Sequence, residues 1–199
     1  MGPTDEELVA AFQRGESSAF DELVSRWDRK IHSAIYRVVG ADEDARDLCQ
    51  EAFLKAYRGL GTFKREARFS SWLYQIALNV CRDRFRRRRG RTAVSLDEVE
   101  EARDGGLRAE APSPLELVEA RDLRHLVEDA MATLSAEERE VVILKEYQEL
   151  TFPEIAEALE VPLSTVKTRL YRGLAQLRHR LQRQGVRGVA PVPAPIPYR

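Results

Sequence analysis

Two stretches of this 199-residue chain hold side chains suited to chemistry on a polyanion. From Lys64 to Arg91, ten bases stand against two acids, with Phe63, Phe69, Trp72 and Tyr74 placed among them or beside them. Basic charge tracks a sugar-phosphate backbone, and aromatic faces stack on unpaired bases. The combination suits single-stranded nucleic acid better than a uniform duplex. The plainer alternative is that Phe69 and Trp72 are core residues and the arginine run is a solvated helix end. Seven arginines between residues 82 and 91 repel one another, however, and need a neutralising partner.

The second stretch is 151–183. A short capped helix, a turn of three or four residues and a longer basic helix are the parts of a helix-turn-helix. Val166, Leu170 and Leu174 would face inward, leaving Thr165, Lys167, Thr168, Arg169, Tyr171 and Arg172 outside. Lysine or arginine at such positions can donate to guanine O6 and N7, and phosphates take the remaining charge and the hydroxyls. From residue 163 to 183 there are six bases and no acid, the electrostatic footprint of DNA contact. An ordinary bundle with a solvated basic face is the competing reading.

A third signal has the opposite sign. Residues 42–51 hold five acids and one base, and Asp47, Gln50 and Glu51 lead into Phe53, Leu54 and Tyr57. Acids beside nucleic-acid patches would repel phosphate, so they fit a docking face for a basic protein surface. A merely solvated helix face is the alternative. The net charge of −1 conceals all of this, because opposite blocks cancel.

Nothing in the chain points to catalysis, a cofactor or a metal. His32, His125 and His179 are far apart, and Cys49 and Cys81 lack metal-ligand spacing. No phosphate-binding GxxxxGK[ST], GxSxG or HExxH pattern is present. Two isolated cysteines suit buried, inert thiols in a reducing cytoplasm. No apolar run reaches membrane-spanning length and no signal-peptide pattern opens the chain, so no membrane insertion is expected.

The elements that must position these residues read as helices throughout. Thr4 to Glu7 is a capping box. Phe20, Leu23, Val24, Trp27, Ile31, Ala34, Ile35 and Val38 make one stripe of a helix over 17–39, which Gly40 can stop. A third helix starts near Asp42, with acids in its first turn, and ends between Gly59 and Gly61. A fourth begins near Ser70 or Ser71 and runs into the arginines. Residues 90–114 are acidic and rich in glycine and proline, and read as a flexible linker. Leu115, Val118, Leu123, Leu126, Val127, Ala130 and Met131 form one more stripe. Further capping boxes open helices at Ser135 and Thr151, and Ser164 is the expected N-cap of the last. The proline-rich residues 184–199 read as a disordered tail. The fold class expected is all-α, with a domain over 1–89, the linker over 90–114 and a second domain over 115–183.

Three segments together carry a resemblance: DARDLCQEAFLKAYRGL, then FKREARFSSWLYQIALNVCRDRFRRRR, then LSAEEREVVILKEYQELTFPEIAEALEVPLSTVKTRLYRGLAQLRHRL. The chain resembles the extracytoplasmic-function (ECF, group IV) sigma factors over nearly its whole length to about residue 183. The resemblance implies a transcription initiation factor, not an enzyme, built of sigma region 2 and region 4. It implies that Asp47, Gln50, Glu51, Phe53 and Tyr57 contact the clamp helices of the largest subunit of core RNA polymerase, with the polymerase flap as a further contact. It implies that Arg65, Arg68, Phe69, Trp72, Gln75, Asn79 and Arg82 grip or read the unpaired −10 strand. Ser164, Thr165, Lys167, Thr168, Arg169, Tyr171 and Arg172 would read the −35 element. Promoter DNA, core polymerase and an anti-sigma factor are the partners implied, with a monomer when free and a 1:1 complex when sequestered.

Two departures from the family pattern stand out. Housekeeping members carry two adjacent tryptophans where this chain has Trp72-Leu73, and Glu160 occupies a turn position often held by glycine. A left-handed backbone at Glu160 would cost about 1 kcal/mol. Two rival classes remain open: a DNA-binding regulator with a terminal helix-turn-helix, and an adaptor that binds polymerase without touching DNA.

Overall fold

The computed structural model describes residues 2–64, 68–92 and 114–186, with side chains described for all of these except 89–92 and 114–122. The expected linker core, 93–113, and the tail from 187 onward lie outside the described residues. All regular structure among the described residues is helical. Contacts divide the chain into two units: Met1–Gly105 with Pro153–Glu160, and Gly106–Phe152 with Val161–Arg199.

In the first unit, α1 (Asp5–Gln13) opens with the capping box expected at Thr4 and Glu7, both reciprocal bonds being present. The Thr4 backbone N–H, donating to the Glu7 carboxylate at 2.6 Å, holds that carboxyl below its ordinary pKa. Helix α2 (Ser18–Val39) follows and stops at Gly40, whose φ of 80° is the left-handed conformation that glycine adopts without strain. Helix α3 (Asp42–Leu60) starts with Asp42, Glu43 and Asp44 at the positive end of its dipole. Helix α4 starts at Phe69 and passes through Gly90 to Thr92, three residues into the stretch expected to be linker.

Helix α2 packs against α1, α3 and α4, and α3 against α4. Leu23, Ile31 and Ile35 of its stripe are fully buried, and each such side chain contributes about 1.5–3 kcal/mol. Ala45, Ala52 and Ala56 are equally buried and recur along one face of α3, where small side chains allow close helix approach. The indole Nε1 of Trp27 donates to Asp5 at 2.9 Å, and Arg26 bonds Asp5 and the Pro3 carbonyl, so α1 is tied down by polar as well as apolar contacts.

The second unit is built from α5 (Pro114–Ala132), α6 (Ala136–Val142), a π-helical turn over Ile143–Tyr147 and α8 (Leu163–Arg183). The Ser135–Glu138 capping box is present as expected. The π-turn was not legible in the sequence. It widens the end of α6, buries Ile143 and Leu144, and leads to Glu149, whose φ is 56°. Helix α8 packs on α5 and α6. At its closest approach a Cβ on Gly173 would lie 3.1 Å from Val142 Cγ2 and 3.5 Å from Glu138 Cβ. Gly173→Leu is therefore expected to destabilise the protein by about 1–3 kcal/mol through overpacking, seen as a lower urea midpoint at unchanged slope.

Helix α7 (Phe152–Leu159) is short, has Pro153 in its first turn, and groups mostly with the first unit. The turn after it bends at Glu160 with φ 54°, the strained conformation anticipated for a non-glycine residue there. The start of α8 corrects one expectation. Its N-cap is Pro162, not Ser164, and the helix begins at Leu163. The Pro162 carbonyl accepts from the N–H groups of Thr165 and Val166, at 2.9 and 3.1 Å. Proline fixes its own φ and needs no donor partner, so it suits the edge of a helix.

Candidate nucleic-acid interface

On α4, the residues expected to meet the −10 strand divide by depth. Phe69 is 1% exposed, its ring tilted or edge-on to Trp27, Phe63 and Trp72 at centroid distances of 6.0–6.4 Å. This corrects its assignment as a base-stacking surface: Phe69 holds the wall on which others sit. Trp72 is half-buried, with the Phe63 ring at 4.8 Å. Its indole lies over Gly59, where a Cβ would come within 3.1 Å of Cζ2. Arg68 and Asn79 are exposed, while Gln75 and Arg82 are half-exposed. Trp72, Gln75, Asn79 and Arg82 are spaced by three and four, which aligns them along one helix face. Arg82 donates to Asn79 Oδ1 at 3.0 Å, so the two act as a unit. Arg65 lies outside the described residues.

A residue that the sequence reading missed supports this surface. Gln13, at the end of α1, donates through Nε2 to the carbonyls of Leu60 at 3.0 Å and Phe63 at 2.9 Å. It pins the chain where it leaves α3 toward the aromatic wall. Thr62 adds a bond to the Gly59 carbonyl at 3.1 Å. No local pattern marks Gln13, since its partners lie 47 and 50 residues away.

On α8, Val166, Leu170 and Gly173 are buried. Ser164, Thr168 and Arg172 are exposed at spacings of four, with Thr165, Lys167, Arg169 and Tyr171 half-exposed beside them. Lys167 Nζ stands 5.7 Å from the Phe152 ring centroid, which steadies a long cationic side chain. The helix thus presents hydroxyls and cations outward, with no acid among them.

The outer face of α3 combines charge with bare hydrocarbon. Asp47 and Gln50 are exposed, Leu54 is 49% exposed and Tyr57 47%. Phe53 is buried yet lines a groove of about 720 Å³ together with Phe20, Val24, Leu54 and Tyr57. The Tyr57 ring meets Phe12 and Phe20 edge-on at 5.3 and 5.1 Å, so it is preorganised. Cys49 sits in the same wall, donating to Asp28, and burial reinforced by that carboxylate pushes its pKa up to about 12. It is a neutral thiol at physiological pH, with little nucleophilic character.

Part of the arginine run, read in the sequence as needing a neutralising partner, is met by acids of the chain itself. Arg84 pairs with Asp44, Arg87 approaches Glu51 at 3.5 Å, and Arg86 pairs with Asp83 at 2.6 Å. Among the described residues, no group of three or more potential ligands could hold a metal ion, and no helix is long and apolar enough to cross a membrane.

These surfaces match known proteins. The family model for Sigma-70 region 2 matches residues 23–91, and that for Sigma-70 region 4 matches residues 124–177. The chain is 34% identical over 183 residues to the ECF RNA polymerase sigma-E factor of Escherichia coli strain K12, covering 90% of this chain and 95% of that protein. It is 34% identical over 180 residues to the ECF RNA polymerase sigma factor SigW of Bacillus subtilis strain 168, covering 87% and 95%. Among solved structures it is similar to CnrH, determined in complex with the cytosolic domain of CnrY, at 26% identity and a TM-score of 0.66 over 90% of this chain and 97% of that one. The fold is shared with the sigma factor RpoE of Bartonella quintana, with a TM-score of 0.69 at 20% identity over 82% and 96% of the chains. The chain belongs to the extracytoplasmic-function family of RNA polymerase sigma factors, transcription initiation factors that bind core RNA polymerase and promoter DNA.

Proposed function

We propose that the α3 face docks core polymerase while α4 and α8 take the −10 and −35 elements of one promoter. Asp47, Gln50, Glu51, Phe53 and Tyr57 serve the clamp helices of the largest subunit, and Leu54 joins them. Arg65, Arg68, Trp72, Gln75, Asn79 and Arg82 grip or read the opened −10 strand. Ser164, Thr165, Lys167, Thr168, Arg169, Tyr171 and Arg172 read the −35 duplex. The domains are those read from the sequence, 1–89 and 115–183, and the protein acts in the cytoplasm without catalytic chemistry of its own. Because CnrH and the Bartonella RpoE were each determined with a partner, the latter described as an anti-sigma factor, an anti-sigma factor is expected to sequester this chain 1:1.

The observation that carries the reading is the exposed Leu54–Tyr57 pair beside acids on α3, in a chain whose other two surfaces are basic. Regulators that bind DNA alone need the basic surfaces but not the docking face. Promoter-directed run-off transcription with purified core enzyme tests it, since no dependence on this protein would end the idea. Within that assay, Arg172→Ala is expected to cost about 1–3 kcal/mol of −35 recognition. Transcript should fall roughly five- to 150-fold while binding to core enzyme stays unchanged.

A further inference from the structure

The last turns of α4 carry more arginine than the −10 stripe uses. Asp44 pairs with Arg84 and lies 3.7 Å from Arg88, while Glu51 holds Lys55 at 3.0 Å and Arg87 at 3.5 Å. Asp83 holds Arg86 at 2.6 Å and Lys55 at 3.7 Å. Among the described residues, three carboxylates here thus stand against five cations. The side chains stay open to solvent, 64% at Arg87 and 63% at Arg88. Exposed pairs of this kind contribute little and exchange readily, and a phosphate presents guanidinium with acceptor geometry as good as a carboxylate's.

We propose that Arg84, Arg87 and Arg88 form a phosphate-binding ridge for duplex DNA, and that Asp44 and Glu51 cover it in the free protein. The ridge lies about 14–20 Å along α4 from Gln75, the length of roughly four to six base pairs. A helix that reads opened bases near its start would therefore meet the adjoining duplex near its end. Covering the ridge with the protein's own acids lowers the non-specific affinity of the unassembled factor for DNA. When α3 gives Glu51 to a basic docking surface, Arg87 is released, while Lys55 keeps Asp83 beside it. That last link rests on the polymerase reading above, whereas the ridge and its cover do not.

The test uses the full-length protein, a labelled duplex of non-promoter sequence and fluorescence anisotropy across a salt series. Asp44→Asn is compared with Asp47→Asn, which removes the same charge from the same helix but whose carboxylate makes no ion pair among the described residues. Asp44→Asn is expected to bind about three- to tenfold more tightly than Asp47→Asn at low salt, with a log–log salt slope steeper by about 1–2. Adding Arg88→Ala should remove most of that gain. Equal affinities for the two asparagine variants would overturn the proposal. Arg88→Ala in the otherwise unaltered protein is expected to weaken duplex binding; an unchanged affinity there also overturns it, and this variant decides the matter should Asp44→Asn lose helix content. Run-off transcription by the unaltered protein, measured alongside, reports on polymerase docking separately.

Discussion

Arg139→Met should lower the stability of the second unit by about 3 kcal/mol, an effect large enough to unfold a marginal domain near physiological temperature. The Arg139 guanidinium, reaching back from α6, donates to the carbonyls of Met131 at 3.0 Å, Ala132 at 3.0 Å and Leu134 at 3.3 Å. Met131 and Ala132 end α5 and Leu134 lies in the turn beyond it; the Met131 carbonyl also accepts from the Leu134 N–H at 3.2 Å, whereas a helix end leaves its last carbonyls short of intrahelical donors. One planar fork therefore closes α5 and fixes its angle to α6. Burial lowers the pKa of Arg139 from its ordinary value, the sign expected when desolvation disfavours a charge. The arginine stays cationic at neutral pH all the same, because an arginine starts so far above it. The variant would keep the hydrocarbon but forfeit every donor, and the part-buried bonds to the Met131 and Leu134 carbonyls would be lost along with the exposed one to Ala132. Arg139→Lys is expected to recover only part of the loss, since a point ammonium cannot span three carbonyls. Urea unfolding followed by circular dichroism measures it. A change below about 0.5 kcal/mol, the range of inert surface positions, would mean that solvent already serves these carbonyls.

What the sequence revealed follows the range of the interactions. The capping boxes at Thr4 and Ser135 are closed by residues three positions apart, so reading the chain locally was enough to find them. Gly40 was legible as a stop for the same reason, and the α2 stripe because burial on one face imposes a period. Long-range terms were invisible. That Phe69 points inward and Trp72 partly outward depends on where α2 and Gly59 lie; in the sequence both are aromatics beside bases. Gln13 bonds across 47 residues, and Asp44 meets Arg84 across 40. The acidic block and the arginine run were therefore both found, but as separate signals awaiting separate partners. Only the packing of α3 on α4 shows that each supplies much of the other's neutralisation.

Leu54→Arg should cut affinity for core polymerase at least about 30-fold, corresponding to roughly 2 kcal/mol. Leu54 is half exposed and stands outside the buried stripe of α3, which runs through Ala45, Leu48, Ala52, Phe53, Ala56 and Leu60. Replacing it should change stability by no more than about 0.5 kcal/mol. A single exposed leucine needs no explanation. One that adjoins an exposed tyrosine, lines an apolar groove and is flanked by Asp47, Gln50 and Glu51 has the makeup of an interface centre with a polar rim. Arginine there would bury a charge unpaired and set it against the basic surface that the neighbouring acids are suited to meet. Tyr57→Ala is the instructive contrast. Its ring also packs on Phe12 and Phe20, so stability and binding should both fall, whereas Leu54→Arg should separate them. The measurement is a titration of labelled protein with core enzyme, paired with a thermal melt. Wild-type affinity in a folded Leu54→Arg protein would move the docking face away from α3.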